Sequence, residues 1–361
     1  MTDPKTYETP ESWDDARTPD KPASDPIGWT FTGAWNQSLE QREDRPLRER
    51  DNVWASELGK APIDLWLKMR ATPLTNPPNS RSLRKFEAGN VFEWIVSLIL
   101  SRAGILRTSQ KWTSYQYDGL LKVTGKSDFI AGGKPDYDAW LKTKRGLEET
   151  GIPEVFIKGG EAIIKHFIEV YPNGLITMPL EIKSVSAFMF DAIERKGVGS
   201  KIHRLQLFHY LKSENYPVGN LVYICRDDLR MAEYKVLNPS HAEEEYKETL
   251  SKITHYHTNN QRPPLEKEIV WDDDTGKFAK NFNVEYSGYL TMLYKYKDAQ
   301  EFFDKHKPIV SRWNRVLGRV KNGDKMTDKN KLVLEEITSA GFNLDELAKK
   351  YVGNDTEEEN A

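Results

Sequence analysis

Hydrophobic positions along the chain follow two patterns, helical spacing and short apolar runs, and together they predict a mixed α/β protein. From Pro62 to Arg70 the apolar residues lie three and four positions apart, and Pro62 is tolerated in the first turn of a helix. From Arg84 to Ala103 the residues are apolar on nearly every side. That segment is therefore predicted to be a buried helix, which Gly104 ends.

Short apolar runs bounded by glycine or proline predict the strands. Leu120–Val123 and Phe129–Ala131 are predicted as two strands joined by a turn at Gly125, and Ile176–Val185 as a third strand. The remaining patterns predict an isolated strand at Val155–Ile157, a strand pair at Asn220–Cys225 and Met231–Val236, and helices at Glu161–Val170, Ala187–Arg195, Lys201–Ser213, Glu243–His257 and Leu290–His306.

Polar, apolar and charged residues are unevenly distributed, which predicts four regions. Residues 1–48 are polar and rich in proline, and we expect them to form a mostly irregular arm. Residues 49–240 contain the alternating helices and strands and are expected to form the core. Residues 241–352 are predicted to be mainly helical, and residues 353–361 form an acidic tail.

The composition is that of a soluble globular protein, with 361 residues of which 38% are hydrophobic and 30% charged. The longest apolar run, Val91–Leu100, is interrupted by Glu93 and Ser97 and is too short to span a bilayer. The N-terminus lacks the basic and then apolar segments of a signal sequence, so we expect an intracellular protein without a membrane partner. The single cysteine, Cys225, excludes an intrachain disulfide framework and an all-cysteine metal cluster held by this chain alone.

Basic residues form local clusters, although the formal net charge is only -3. That charge argues against a protein that coats nucleic acid over its whole surface, but phosphate binding requires only a local basic face. The densest cluster surrounds Trp313 and consists of Lys305, Lys307, Arg312, Arg315, Arg319, Lys321 and Lys325. Both a nucleic-acid contact and a solvated helix face are consistent with this pattern.

A short series of polar residues in apolar surroundings forms the candidate site. Glu93 lies in the apolar helix, Asp128 precedes an apolar run, and Glu181 and Lys183 lie in a predicted strand. Carboxylate oxygens are the ligands that Mg²⁺ and Mn²⁺ prefer, and a lysine beside them can steady a nucleophile or a phosphate. The series therefore predicts a metal-dependent nuclease.

Glu181 and Lys183 are two positions apart in a strand and therefore project from the same face. A carboxylate and an ammonium in a mostly apolar strand are costly unless they pair with each other or serve a function. A catalytic pair and a partly exposed ion pair at a sheet edge are the two interpretations of this motif.

Asp128 is expected within a few ångströms of Glu181 if its hairpin runs antiparallel to the Glu181 strand. Two carboxylates so close need a cation between them, which a divalent metal supplies. An ordinary turn aspartate is the alternative. Asp136 and Asp138 compete for the same role, and Asp128 is preferred because the run Phe129–Ala131 after it is typical of a core strand.

Three further polar side chains complete the candidate site. Glu93 has apolar neighbours along its helix, and an acid buried there needs a lysine, a backbone amide or a metal as its partner. Gln206 and Tyr210 are four positions apart and share a helix face. They can hold a phosphate or orient Lys183 without adding charge.

Four short motifs stand in an order that resembles a known family. They are Gly89-x-x-x-Glu93, Gly125-x-x-Asp128, Glu181-Ile182-Lys183 and Gln206-x-x-x-Tyr210. In this order they resemble the RecB-like branch of the PD-(D/E)xK nuclease superfamily, and most closely the phage and CRISPR-adaptation RecB-like exonucleases. Ser56–Lys60 is also similar to the opening of those proteins, so that the resemblance spans roughly residues 53–237.

The resemblance implies a restriction-endonuclease-like core, that is, a mixed β-sheet flanked by helices, with helical extensions at both ends. It implies that Asp128, Glu181 and the main-chain carbonyl of Ile182 ligate one or two Mg²⁺ or Mn²⁺ ions. Glu93 would be a further ligand, directly or through water. Lys183 would position or activate the attacking water.

The resemblance also implies that Gln206 and Tyr210 support the site and the DNA strand. The implied activity is hydrolysis of DNA phosphodiester bonds, with an exonuclease acting in DNA recombination, repair or phage DNA processing. An aromatic and basic groove would suit single-stranded DNA or free DNA ends.

The chain departs from the resembled family in three places. Many relatives have histidine where this chain has Glu93. Several relatives carry an iron–sulfur cluster on four cysteines, whereas Ala61 stands at the first of those positions and one cysteine cannot hold a cluster. The segment between Asp128 and Glu181 is long, which predicts an insert at about residues 132–175.

Two other functions stay open at this point. One is a DNA-binding clamp or partner subunit without catalysis, and the intact Glu181 and Lys183 weigh against it. The other assigns the function to the helical region after residue 240, which would bind a partner protein.

Overall fold

The computed structural model describes residues 35–36, 38–39, 47–151, 154–238, 241–273 and 275–347. The predicted arm and the acidic tail fall almost entirely outside these residues. The strands are β1 (Asn52–Trp54), β2 (Leu106–Tyr115), β3 (Lys122–Gly133), β4 (Leu175–Val185), β5 (Val218–Cys225), β6 (Met231–Leu237), β7 (Ile269–Asp272) and β8 (Lys277–Lys280).

The helices lie between these strands and after the last of them. They are α1 (Pro62–Met69), α2 (Ser80–Arg102), α3 (Tyr137–Glu149), α4 (Gly160–Val170), α5 (Ala187–Lys196), α6 (Lys201–Glu214), α7 (His241–Thr258), α8 (Phe282–Glu285), α9 (Leu290–Tyr294), α10 (Ala299–Lys321) and α11 (Asp328–Ser339). None of the helices in the described ranges is both long and apolar enough to cross a membrane.

Six of the described strands form one mixed sheet, which confirms the predicted α/β class of a mixed sheet flanked by helices. β2 runs antiparallel along one edge of β3, from Val123 to Ala131. Because β2 occupies that edge of β3, β1 and β4 both pair with its other edge. β1 pairs there with residues 122–124 and β4 with residues 129–133. β5 then pairs parallel to β4, and β6 pairs antiparallel to β5.

The edge of β3 that β1 and β4 share has a gap, because no described strand pairs there with residues 125–128. Side chains take the place of a strand in this gap. The hydroxyl of Tyr210 donates to the carbonyl of Lys126 at 3.0 Å, and a carboxylate oxygen of Asp128 accepts the backbone N–H of Ile182 at 2.8 Å. The sheet therefore opens where the candidate site lies.

Helices cover the two faces of the sheet separately. On one face, Leu221 and Tyr223 of β5 pack against α6, in a cluster that includes Leu205 and Phe208. On the other face, β3, β4 and β5 pack against α2, in a cluster formed by Phe129, Ala131, Ile182, Val222 and Leu100. Paired residues of neighbouring strands share a face, so the side chains of β4 that alternate with Ile182 point towards α6.

Prediction and structure differ around Gly125, which lies inside the single strand β3 rather than in a turn. A Cβ atom at this position would lie 2.9 Å from the Ala55 Cβ and 2.9 Å from the Tyr210 Cε1. Gly125 is therefore needed because Ala55 and Tyr210 pack against it, and not because the chain turns there. Strand β2 was not predicted either, because its residues are mostly polar and only Thr113 is buried.

The prediction that the helix at Arg84–Ala103 is buried on nearly every side is wrong. Helix α2 begins earlier, where the Asn79 side chain accepts the backbone N–H of Ser82 at 2.9 Å. Its inner face packs on the sheet, but Val91, Ile95 and Ile99 on the outer face are exposed. The sheet can cover only one side of a helix, whatever the composition of the other side.

The insert and the C-terminal region also differ from prediction. The expected strand at Val155–Ile157 is a 3-10 turn, Glu154–Phe156, and it lies between the insert helices α3 and α4. The expected helix at Leu290–His306 is two helices, α9 and α10, because Lys295 adopts a left-handed conformation (φ 65°). Strands β7 and β8 form a hairpin that no sequence pattern indicated.

The C-terminal region packs on α1 rather than extending away from the core. A buried cluster joins Ile63 and Leu67 of α1 to Val284 and Tyr289. In the predicted basic cluster of α10, Trp313 is buried among other aromatic rings.

Candidate active site

Glu181 is the most deeply buried charged residue of the candidate site, with no exposed surface. Lys183 Nζ donates to its Oε1 at 2.5 Å, whereas its buried Oε2 has no hydrogen-bond partner among the described residues. Burial and the negative charge of Asp128 raise the pKa of Glu181 to about 8, against the opposing effect of Lys183. The surroundings of Glu181 therefore disfavour its charged form.

Lys183 is the positive charge of the site. Burial lowers the pKa of its ammonium group, but the nearby carboxylates of Glu181 and Asp128 outweigh burial and the net pKa is raised. Its side chain keeps 24% of its surface exposed, whereas Glu181 keeps none. Lys183 therefore stays charged and stands between the buried acid and solvent.

Asp128 lies beside Glu181 because of the strand register. Phe129 pairs with Leu180, so the next step along each strand would place Asp128 opposite Glu181. At that step the backbone pairing of β3 and β4 stops, and the Asp128 carboxylate accepts a hydrogen bond from the backbone N–H of Ile182. Burial raises the pKa of Asp128, while Lys183 and the Ile182 N–H act in the opposite direction. The structure thus brings two carboxylates together, as expected for this pair.

Glu93 reaches the same region from α2 and is half-buried. Its Oε2 accepts a hydrogen bond from Gln110 Nε2 at 3.1 Å. Burial raises the pKa of Glu93, and the negative charge of Asp128 adds to the effect. Three acids from α2, β3 and β4 are thus electrostatically coupled around Lys183.

Gln206 and Tyr210 lie on the buried face of α6 and contact the strands rather than Lys183. Gln206 Nε2 donates to the Tyr210 hydroxyl at 3.0 Å, and that hydroxyl donates to the carbonyl of Lys126 in the gap of β3. Burial and the charge of Glu181 raise the pKa of Tyr210, so it remains a neutral donor. The pair supports the backbone two residues before Asp128.

Asp136 and Asp138, the competing candidates, lie away from this group. Asp136 caps the N-terminus of α3, where its Oδ1 accepts the backbone N–H of Ala139 at 3.0 Å. Asp138 lies in the first turn of α3, and both side chains are exposed. Asp128 rather than Asp136 is therefore the aspartate that accompanies Glu181.

Two residues at the site, Gln110 and His203, are not among the predicted site residues. Gln110 bonds Glu93 from a left-handed backbone conformation (φ 54°) inside β2, and no signal in the sequence marks it. His203 Nδ1 lies 2.9 Å from the Tyr223 hydroxyl. Burial and the charge of Lys183 lower the pKa of His203 to about 3, so it adds no positive charge near the lysine.

The donor set of the site fits a hard divalent cation in its chemistry. Asp128 and Glu181 supply carboxylate oxygens, and the unpartnered Oε2 of Glu181 is available to a cation. In the described ranges, however, no three side chains of His, Cys, Asp or Glu lie together closely enough to hold an ion.

No protein-family model matches the chain, and no curated protein matches it. Solved structures similar to it include SSO0001, with a TM-score of 0.39 and 16% identity over 66% of this chain and 91% of that one. LHK-Exo in complex with dAMP gives a TM-score of 0.34 and 11% identity over 58% of this chain and 88% of that one. The alkaline exonuclease LHK-Exo from Laribacter hongkongensis gives the same score and identity over 63% and 95%. These TM-scores and identities are too low to assign a function, so a function has to be inferred from the residues of this chain.

Proposed function

We propose that the protein is a metal-dependent deoxyribonuclease that hydrolyses phosphodiester bonds. The observation that carries the proposal is the burial of Glu181 beside Asp128, with Lys183 Nζ 2.5 Å from the Glu181 Oε1. Two buried carboxylates and one lysine are costly to a fold, and the sheet opens at this place instead of closing over it. Such a cost is typical of a site that binds a cation and an anionic substrate.

Asp128, Glu181 and Glu93 would hold one or two Mg²⁺ or Mn²⁺ ions. In a regular strand the N–H and C=O groups of one residue project to the same side, so the carbonyl of Ile182 also faces β3 and would add a ligand. A bound divalent ion supplies a Lewis acid that lowers the pKa of water and stabilises charge on the phosphate.

Lys183 would act on the substrate side of the site. Its charge is secured by the carboxylates, and its partly exposed side chain can reach a phosphate oxygen or the attacking water. Gln206 and Tyr210 would act indirectly, because they hold the Lys126 carbonyl and thereby the course of β3 up to Asp128. Gln110 would fix the rotamer of Glu93.

The finer part of the proposal is an exonuclease in DNA recombination, repair or phage DNA processing. It rests on the order of the motifs that end at Glu93, Asp128, Lys183 and Tyr210, which resembles RecB-like exonucleases. An exonuclease would release nucleotides one by one from end-labelled DNA, whereas an endonuclease would give a ladder of intermediate lengths at once.

The test is hydrolysis of end-labelled single-stranded and double-stranded DNA with Mg²⁺, with Mn²⁺ or with EDTA. Lys183→Ala is expected to lose at least about a hundredfold in rate, since such electrostatic groups contribute that much or more. Lys212→Ala is the matched control, because Lys212 is also ion-paired and its side chain is 20% exposed, close to the 24% of Lys183. Equal rates for the two variants, or cleavage in EDTA, would contradict the proposal.

A second candidate function is a DNA clamp without hydrolysis. One observation favours it, namely that no three ligating side chains in the described part of the chain are already gathered to hold an ion. The same assay separates the two functions. A clamp would bind DNA in a salt-sensitive way and would release no labelled product with either metal.

A further inference from the structure

The sheet has an exposed aromatic surface next to the candidate site. Trp112 on β2 is 61% exposed, and its ring lies 5.5 Å from that of Trp54 on β1. It pairs in register with Lys126 on β3, whose Nζ is 5.9 Å from the Trp112 ring centroid. Thr113, the next residue of β2, contacts His209 of α6. Because neighbouring residues of a strand point to opposite faces, Trp112 lies on the face that α6 leaves uncovered.

Along both strands this surface lies two positions from a residue of the candidate site. On β2, Gln110 lies two positions before Trp112 and bonds Glu93. On β3, Asp128 lies two positions after Lys126. Two residues of a strand span about 7 Å, so the backbone positions of Trp112 and Lys126 lie about that far along their strands from Gln110 and Asp128. The positive charge of Lys126 opposes the rise in pKa that burial causes at Glu93 and Asp128. Its ammonium group therefore lies within electrostatic reach of both acids.

Trp112 and Lys126 together match the chemistry of a single nucleic-acid strand. An exposed indole offers a flat surface on which a base can stack, and a lysine beside it offers a charge for the phosphate. A duplex hides the faces of its bases inside the stack, so it can use the lysine but not the indole. With 61% of its surface exposed, Trp112 keeps ring area available for such a contact.

We propose that Trp112, supported by Trp54 and Lys126, is a stacking platform for a base of single-stranded DNA that leads into the acidic site. The inference rests on the proposed function, because it names the form of substrate that the same site receives. It assigns the preference for an unpaired strand to three residues that none of the four motifs specifies: Trp54 and Trp112 lie outside them, and Lys126 occupies a variable position of one.

The test measures binding in EDTA, where hydrolysis does not interfere. A labelled oligothymidylate of about 15 nucleotides and a blunt duplex of equal length are titrated with the full chain, and fluorescence anisotropy gives each Kd. Trp112→Ala is expected to weaken single-strand binding about tenfold and to leave duplex binding within about twofold. Trp112→Phe should restore most of the affinity. Lys126→Gln should lower the slope of log Kd against log salt by about 0.7.

Phe282→Ala is the matched control, since Phe282 is 60% exposed but belongs to α8. A loss of equal size on single strands and duplexes, an unchanged Trp112→Ala variant, or the absence of single-strand binding by the wild type would overturn the platform. The outcome is separable from that of the hydrolysis test. Hydrolysis with unaffected Trp112→Ala binding removes the platform alone, and selective binding without hydrolysis under either metal removes the nuclease alone.

Discussion

Asp128 and Ile182 are joined by a hydrogen bond of 2.8 Å in which a side-chain carboxylate accepts the backbone N–H of the neighbouring strand. The bond lies where β3 and β4 stop pairing, one step beyond Phe129 and Leu180. It satisfies a buried amide that would otherwise lack a partner, and it holds a negative charge beside Glu181. The Asp128 carboxylate therefore stabilises the fold through this hydrogen bond and destabilises it through repulsion of Glu181.

The two effects of Asp128 can be separated by substitution. Asp128→Asn keeps an oxygen for the Ile182 N–H but removes the charge that repels Glu181, so it is expected to raise the free energy of unfolding in EDTA by about 1 kcal/mol. Asp128→Ala leaves that amide unpaired and should lower the free energy of unfolding by about 1–3 kcal/mol. Urea unfolding at pH 7 measures both. A destabilised Asp128→Asn variant would show that the wild-type protein in EDTA has no repulsion between Asp128 and Glu181 to lose.

A divalent cation should stabilise the folded protein. A ligand that binds only the folded state adds about 2.7 kcal/mol at a concentration a hundred times its Kd, so the Tm in Mg²⁺ should exceed that in EDTA. Glu181→Gln is expected to abolish this difference. Glu243→Gln, which alters an acid paired with Lys212, should retain it. Equal Mg²⁺ responses of the two variants would place the ion elsewhere.

Gln110 is expected to trade stability for the position of Glu93. Its left-handed backbone costs about 1 kcal/mol or more for a residue with a side chain, so Gln110→Gly should raise the free energy of unfolding by that amount. The same substitution removes the 3.1 Å hydrogen bond to Glu93 and should lower kcat about tenfold. Stability and rate thus move in opposite directions. A residue with only a structural role would move both in the same direction.

His209 should make the protein sensitive to acid. It is fully buried between the Thr113 and Tyr246 hydroxyls, each 3.1 Å from a ring nitrogen, and burial lowers its pKa from 6.5 to about 3. Between those values the unfolded chain binds a proton that the folded chain does not. The contribution of His209 to the free energy of unfolding should therefore fall as the pH is lowered from about 6.5, by at most about 1.4 kcal/mol per pH unit.

His203 contributes to the acid sensitivity with the same sign, because its pKa is also lowered to about 3. Glu181 acts with the opposite sign, because its pKa is raised from 4.5 to about 8 and the folded chain binds the extra proton. Unfolding in urea at several values between pH 4 and pH 7 should therefore show a weaker loss of stability towards acid in His209→Gln, and a gain of stability towards acid in the double variant with His203→Gln. An unchanged slope in the double variant would locate the sensitivity in other groups.

Gly125 should tolerate no side chain. A Cβ atom there would press on Ala55 and on the ring of Tyr210, so Gly125→Ala is expected to cost about 1–3 kcal/mol and to displace the Tyr210 hydroxyl from Lys126. Gly146→Ala is the control, because Gly146 is exposed in α3 with no atom within 4 Å of the added Cβ. It should gain about 0.5–1 kcal/mol. Thermal unfolding of the two variants gives the comparison.

Most elements that carry the site could be predicted from the sequence, because local patterns define them. The strand of Glu181 and the helix of Tyr210 each have a clear apolar periodicity, and their observed bounds differ from prediction by one residue at most. The grouping of Asp128 with Glu181 followed from an expected antiparallel pairing, which β3 and β4 form. The catalytic and metal-binding roles of these residues stay predictions.

Other features depend on contacts between distant parts of the chain and had no local signal. β2 is a strand because β3 supplies its hydrogen-bond partners, not because of its own polar sequence. Gly125 was interpreted as a turn, since nothing in the sequence reveals that Ala55 and Tyr210 approach it. The gap in the edge of β3 arises from the separate pairings of β1 and β4, which lie more than a hundred residues apart.

The burial of Glu181 also has a consequence for biosynthesis. Its register partner Leu221 lies in β5, which leaves the ribosome after β4, and α6 is translated between these two strands. Until that stretch has emerged, Glu181 meets water rather than apolar side chains, and its carboxyl behaves as it would in a peptide. A nascent or prematurely terminated chain that ends before Cys225 therefore cannot assemble the acidic cluster. The raised pKa of Glu181 therefore arises only after the ribosome has translated the chain through β5.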